Sequence, residues 1–303
     1  MKKALVILNP AAGIAGRKPV YEEIKKALGT AGVKSEIFIV RKGEDAGKLV
    51  LRELKKGFDV VVAAGGDGTV SSVVGGLRGS PVPLGIIPLG TGNMLARDLG
   101  IPLDLPAAAR LIAGGTRVRR LDAMLIGERI FLLDASVGLS PRIMARTSPR
   151  AKERFGVLAY IGRGLRELFR VRFKYFEVDV DGRVRRCRAG EVCVFNSGTI
   201  ARAFYPAKRD IRPDDGRLDV WIVSPRALWD YPGYLANALF RRHRQEFSHF
   251  TTVNGYIAIK SAESMSLQAD GDVIGATPVK IEVLPGAVGI IVPADQAPLP
   301  ADA

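Results

Sequence analysis

At 303 residues, 47% hydrophobic and 25% charged, the chain has the composition of a folded protein long enough for two domains, which excludes disordered and fibrous classes. A net charge of +14 at pH 7 biases its surface toward anionic partners, namely a nucleotide, an anionic membrane or nucleic acid. No run reaches the about eighteen apolar residues of a membrane span, and Cys187 and Cys193 are too far apart for a Cys-x-x-Cys site, so they read as reduced core or sheet residues.

Met1 to Pro10 imitates a signal peptide, but its apolar stretch is only Ala4 to Leu8, which reads as a first buried strand. The expected compartment is the cytoplasm. Up to about residue 121, apolar runs alternate with helical patterns: strand 4–8, helix 18–31, strand 35–40, helix 45–56, strand 59–64, helix 70–78, strand 83–87, and helices 92–99 and 105–114. That alternation is the βαβα rhythm of a parallel sheet covered on both faces. Beyond it the runs are strand-like: 121–126, 129–138, 175–181, 184–196, 217–223, 255–260, 264–269, 278–283 and 288–292. They predict a mainly antiparallel β-sandwich, interrupted by helical insertions at 152–169 and 226–241. The expected fold is therefore an α/β domain over 1–121 and a β-rich domain over 122–285, with a cleft between them. The tail 286–303 packs back on the first domain and ends in a Pro/Ala-rich stretch, Pro293 to Ala303.

Two glycine-rich turns carry the chemistry. Gly65-Gly66-Asp67-Gly68-Thr69 and Pro88-Leu89-Gly90-Thr91-Gly92-Asn93 each follow an apolar strand, at the sheet end where open parallel sheets bind ligands. Glycine lets a phosphate approach backbone N–H groups, and Val70-Ser71-Ser72 then begins a helix whose N-terminus favours anions. Asp67 is the odd residue among phosphate-facing amides. Its carboxylate suggests a divalent cation between protein and ligand, hence Mg²⁺ and transfer chemistry. The bland alternative is a pair of ordinary turns with Asp67 as a helix cap.

Asn9-Pro10-Ala11-Ala12-Gly13, then Gly65 to Val70, then Pro88 to Asn93 resemble the diacylglycerol kinase catalytic domain family, which includes bacterial lipid kinases and sphingosine kinases. The resemblance runs on through Asn196, Pro206-Ala207, Pro213-Asp214-Asp215-Gly216-Arg217-Leu218-Asp219 and Gln268-Ala269-Asp270-Gly271-Asp272. It implies an NAD kinase/diacylglycerol kinase-like two-domain architecture, with ATP bound by Asn9, Pro10, Ala11, Ala12, Gly13, Gly65, Gly66, Asp67, Gly68, Thr69, Val70, Ser71, Gly90, Thr91 and Asn93. It also implies Asp272 as the base for the acceptor hydroxyl, and Asp122 joined with Asp67 in a Mg²⁺–water network. A structural cation would be held by Asp215 with the carbonyls of Arg212 and Arg217, although Pro-Asp-Asp-Gly is also a good turn sequence, and on the residues alone Asp122 reads first as a surface carboxylate paired to an arginine.

Three departures from the family pattern bear on the ligands, one of them Gly138-Leu139-Ser140-Pro141 where Gly-x-Asp-Ala is common. Met94 stands where diacylglycerol kinases usually carry Asp, and Val40 or Arg41 where many relatives have a nucleotide-contacting Thr. The implied partner is a lipid substrate at an anionic membrane surface, reached by the aromatic and cationic stretch Leu228 to Arg244, although such a stripe is more often a helix packed on its own sheet. With 7% aromatic residues, nucleic acid is not expected. A homodimer stays open. The rival readings are an NAD kinase-like small-molecule kinase, disfavoured by the second turn, and a catalytically lapsed nucleotide- or lipid-binding protein.

Overall fold

The computed structural model describes residues 1–10, 20–41, 43–138, 174–199, 201, 211–224 and 248–294. Both expected helical insertions and the stretch Leu228 to Arg244 lie outside these residues.

The first strands, β1 (Lys2–Leu8), β2 (Val33–Ile39), β3 (Val60–Gly65) and β4 (Leu84–Pro88), pair in parallel in the order β2-β1-β3-β4. Their two faces bury different partners. Ala4, Val6, Val60 and Val62 pack against Ile24 and Leu28 of helix α1 (Val20–Thr30), while Leu5, Ile7, Val61 and Ala63 pack against Leu49, Val50, Val73 and Val74. The latter four belong to α2 (Ala46–Glu53) and α3 (Asp67–Leu77). A short helix, α4 (Met94–Asp98), and a longer one, α5 (Leu105–Gly114), complete this half. Each fully buried Val, Leu or Ile contributes about 1.5–3 kcal/mol against about 1 for a net hydrogen bond, so burial on both faces fixes the sheet more than its ladder does.

The remaining strands are β5 (Val118–Ile126), β6 (Arg129–Phe131), β7 (Asp134–Val137), β8 (Lys174–Val180), β9 (Arg183–Ala189), β10 (Glu191–Phe195), β11 (Leu218–Val223), β12 (Ser248–Val253), β13 (Tyr256–Ser261), β14 (Ser266–Ala269), β15 (Asp272–Ala276) and β16 (Val279–Ile291). One antiparallel sheet runs β12-β11-β10-β7-β14-β15. The other extends the parallel sheet, β2-β1-β3-β4-β16-β13-β8-β9, with β5 paired to β16 and β6 to β5. Between them lies an apolar layer that includes Phe131, Val137, Phe176, Val194, Val220, Ile257, Leu267 and Ile281. The α/β half joined to a sandwich is the architecture expected.

Three local differences have physical causes. The run 129–138 is two strands because the chain passes from one sheet to the other at Leu132 and Leu133, and 184–196 breaks at Gly190 for the same reason. Conversely, 278–283 and 288–292 are one strand. Pro285, Gly286 and Ala287 are taken up in an irregularity between Leu284 and Val288, with Gly286 at φ +54°, and β16 continues beside β5 and β4. Helix α3 starts at Asp67, three residues earlier than expected.

Candidate active site

In register, Gly65 at the end of β3 lies opposite Pro88 at the end of β4, so the two glycine turns leave the sheet side by side. They touch backbone to backbone. A Cβ on Gly90 would lie 2.6 Å from the Gly66 Cα, and one on Gly65 would overlap the Thr69 side chain. The second turn is closed by Asn93 at φ +48°: the Gly90 N–H donates to Asn93 Oδ1 at 2.9 Å, and Asn93 Nδ2 donates to the Gly90 carbonyl at 2.7 Å. Asp67 ties the turns together, accepting the Met94 N–H and the Leu95 N–H, each at 3.0 Å, and so caps α4. Asn9 Nδ2 donates to Thr69 Oγ1 at 3.0 Å, bringing the end of β1 to the same place.

What this cluster leaves open is as informative as what it closes. Helices α2 and α5 each begin on a capping aspartate, Asp45 and Asp104, whereas α3 begins on Gly66 with no side-chain cap. The Thr69 N–H is given to the Gly66 carbonyl at 2.9 Å, while the Asp67 and Gly68 N–H groups, with the positive end of the α3 dipole, stand where an anion can approach on glycine backbone. Gly68, Thr91 and Pro10 are exposed beside it, while Val70 is buried in the core. Ala11, Ala12 and Gly13 lie outside the described residues.

From the sandwich, Asp272 reaches the same spot. It opens β15 directly after the Asp270-Gly271 turn, is exposed, and has no partner among the described residues; a methyl built at Gly68 would lie 3.8 Å from its Oδ2. Asp270 is its opposite. Its carboxylate accepts the N–H groups of Leu132 (2.9 Å), Leu133 (2.9 Å) and Asp134 (3.2 Å) and the hydroxyl of Ser71 on α3. Gln268, buried next to it, donates from Nε2 to Asp134 and to Ser136 Oγ (3.1 Å), and its Oε1 accepts the Gly271 N–H (3.2 Å). Burial pushes Asp270 above the usual carboxylate range, against the donors that face it. Asp134 is pushed up to about 7, first by burial and then by the negative charges of Asp270 and Glu191.

The family model for the diacylglycerol kinase catalytic domain matches residues 3–126, and that for the YegS C-terminal NAD kinase beta sandwich-like domain matches 135–292. Among relatives, a Pseudomonas aeruginosa protein named "Probable lipid kinase YegS-like" is 30% identical, over 96% of this chain and 95% of its own. A Bacillus subtilis diacylglycerol kinase is 27% identical over 98% of both. A solved structure of a presumed diacylglycerol kinase from Bacillus anthracis str. Sterne superposes with a TM-score of 0.78 at 26% identity, covering 98% of this chain and 97% of its own. The chain belongs to the diacylglycerol kinase and YegS-like lipid kinase family. The resemblance carried by the three N-terminal motifs is borne out over nearly the whole chain.

Other residues singled out for this lipid kinase fold gather elsewhere. Asp122, almost fully buried, accepts the Gly216 and Gly286 N–H groups, each at 2.7 Å, so its two hydrogen bonds brace the 211–217 loop and the irregularity in β16 rather than either glycine turn. Burial raises its pKa against those two donors. Within the loop, Asp215 Oδ1 accepts the Arg217 N–H at 3.1 Å and Arg119 Nε holds Asp214 at 2.7 Å. No group of three or more His, Cys, Asp or Glu that could hold a metal occurs among the described residues. Cys193 is buried on β10 and Cys187 half-buried on β9, both free thiols. The sequence reading assigns no role to Asp270, Gln268 or Asp134. The one signal for Asp270 was its place in the Gln-Ala-Asp-Gly-Asp motif, because its donors come from a segment 136 to 138 residues away in the chain and from α3.

Proposed function

We propose that the protein transfers the γ-phosphate of ATP to a hydroxyl group of a lipid at an anionic membrane surface. The observation that carries this reading is the exposed Asp272 carboxylate, without a partner among the described residues, beside Gly68 at the uncapped start of α3. Phosphoryl transfer asks for positioning and charge stabilisation more than covalent chemistry. Amides of the paired glycine turns hold the phosphates. Asp272, within reach of that site, takes the proton of the lipid hydroxyl as its oxygen attacks the γ-phosphorus and the bond to ADP breaks. Asn9, through Thr69, and Asn93, through Gly90, keep the turns rigid, so the amides are preorganised before ATP arrives.

Mg²⁺ fits the reading as the partner of the ATP phosphates, where it would neutralise their charge. Each Asp67 oxygen accepts a single amide N–H, which leaves a lone pair on each for a hydrated cation, and oxygen donors suit this hard ion. A second cation at Asp215 and the carbonyls of Arg212 and Arg217 would use a carboxylate that, among the described residues, faces the Arg217 N–H and its guanidinium, at 3.7 Å. Arg119 and Asp122 brace that loop, so such an ion would stabilise the loop rather than react.

With Met94 at the start of α4, where diacylglycerol kinases usually have Asp, the head group is an open choice among diacylglycerol-, phosphatidylglycerol- and sphingoid-like lipids. The test is transfer of labelled γ-phosphate from ATP to diacylglycerol, phosphatidylglycerol, ceramide, a sphingoid base and undecaprenol presented in vesicles, with NAD as control. A labelled lipid, lost in Asp272→Ala, is the expected result. Label on NAD alone overturns the reading. Because the net charge is +14, the protein is also expected to pellet with anionic vesicles at low salt and to release at high salt; equal binding to neutral vesicles would remove the electrostatic part.

A further inference from the structure

Two aspartates two residues apart in one motif have opposite surroundings, and the contrast assigns them different work. Asp270 has four donors on its carboxylate and stands at φ +46°, a left-handed conformation that costs a non-glycine residue energy. Asp272 has no partner among the described residues and is exposed. A carboxylate filled by three amides and a hydroxyl has no capacity left to collect a substrate proton, but it fixes everything attached to it.

We propose that Asp270 is a positioning residue, which through Ser71 locks the turn carrying Asp272 onto the first turns of α3, and so sets the base against the phosphate site. The proposal rests on the reading of Asp272 as the base. Four observations support it. Ser71 is one helical turn past Gly68 on α3, is 5% exposed, and spends its hydroxyl on Asp270, a residue 199 positions away in the other half of the molecule. The Asp270 N–H donates to the Asp134 carbonyl at 3.0 Å while its carboxylate takes the Asp134 N–H, so the turn is clasped to the β6–β7 connection through backbone and side chain. Gln268 holds the next residue, Gly271, by its N–H, leaving Asp272 as the first residue of the turn without such a restraint. Finally, Asp270 and Asp272 approach α3 at neighbouring points, Ser71 and Gly68, so the Asp270–Ser71 bond sets how Asp272 sits over the glycine turns.

This arrangement separates binding from transfer. ATP binds on amides that Asp270 does not touch, so loss of the lock misplaces the base without emptying the nucleotide site. Asp270→Asn puts an NH₂ group in place of one oxygen, facing either the Leu133 and Asp134 N–H groups or the Leu132 N–H and the Ser71 hydroxyl, and breaks the clasp; Ser71→Ala removes one bond only; Ser71→Thr keeps the hydroxyl. In Asp270→Asn, lipid-transfer kcat is expected to fall about 10- to 100-fold with KM for ATP within about two-fold of wild type, the signature of a misplaced group. Ser71→Ala falls less and Ser71→Thr recovers most of the rate. The double variant Ser71→Ala/Asp270→Asn is no worse than Asp270→Asn, because both act through one network.

A second readout needs no activity: hydrogen exchange at the Leu132, Leu133 and Asp134 amides speeds up in Asp270→Asn and stays as in wild type in Asp272→Ala. Should Asp270→Asn fail to fold, Ser71→Ala and Ser71→Thr carry the kinetic test. Wild-type kcat in Ser71→Ala, or unchanged exchange at the three amides in Asp270→Asn, overturns the proposal. So does full transfer in Asp272→Ala with none in Asp270→Asn, which would make Asp270 the base itself. A wild-type protein that labels no lipid at all would instead sink the functional reading, and the exchange experiment alone would then decide the lock.

Discussion

The two halves of the molecule bring their parts of the site into place by opposite means. In the α/β half, the glycine turns are fixed by close packing, the Gly66 backbone against Gly90 and the Thr69 side chain over Gly65, with no room for an added atom. In the sandwich, Asp272 is fixed by side-chain hydrogen bonds from Asp270 and Gln268 to a connection between sheets and to α3. A site held by close packing is broken by adding atoms, whereas one held by a polar network is broken by taking them away.

The sharpest way to break the comparison is at Asp272. Replacing it with Ala removes a group the fold does not use, so thermal stability stays near wild type while kcat for lipid phosphorylation falls about 10²- to 10⁴-fold, the range of general acid–base catalysis. A stopped assay with labelled ATP and a melting curve decide it; a large drop in melting temperature with the activity loss would mean that Asp272 is structural. Next in size is Gly90→Ala. Its methyl would meet the Gly66 Cα at 2.6 Å and Asn93 Oδ1 at 2.8 Å, so the turns must part. The expected cost is about 1–3 kcal/mol of stability, with weakened ATP binding measurable by calorimetry. Gly75→Ala in α3, whose new methyl meets nothing within 4 Å, sharpens the contrast. It is expected to stabilise the helix by about 0.5–1 kcal/mol and leave ATP binding alone. Equal effects from the two alanines would mean that packing between the turns does not shape the site.

The α/β half was the more legible in sequence for the same reason. Strands such as Val60 to Ala64 are buried on both faces and read as unbroken apolar runs, and glycines that permit close approach announce themselves by type. The sandwich was harder. Strand β15, Asp272 to Ala276, is almost wholly exposed and owes its conformation to pairing with β14; Ser248 to Val253 is a short, polar-leaning run whose strand state comes from its partner β11. Leu284-Pro285-Gly286-Ala287 looks like a turn, yet β5 holds the chain extended on either side, with Asp122 accepting the Gly286 N–H. Asp270 illustrates the general limit. Its neighbours in sequence say nothing of Leu132, Leu133 and Ser71, which only the fold brings to it.

The smallest expected effect tests whether the polar network carries charge as well as geometry. Asp134 is held near a pKa of about 7, from an ordinary value of 3.8, by burial and by the negative charges of Asp270 and Glu191, with Gln268 Nε2 pulling the other way. Between those two values the folded protein keeps a proton that the unfolded chain has released. The stabilisation linked to that proton is therefore fully present below about pH 4 and is lost as pH rises through about 7. Asp134→Asn keeps an oxygen for Gln268 but has no proton to lose, so its urea midpoint should gain on that of wild type between pH 5 and pH 8, by about 1 kcal/mol after allowance for relaxation around the buried group. Parallel curves for the two proteins would show that Asp134 is ionised throughout, and that the network beside the base holds two negative charges, Asp134 and Asp270, on hydrogen bonds alone.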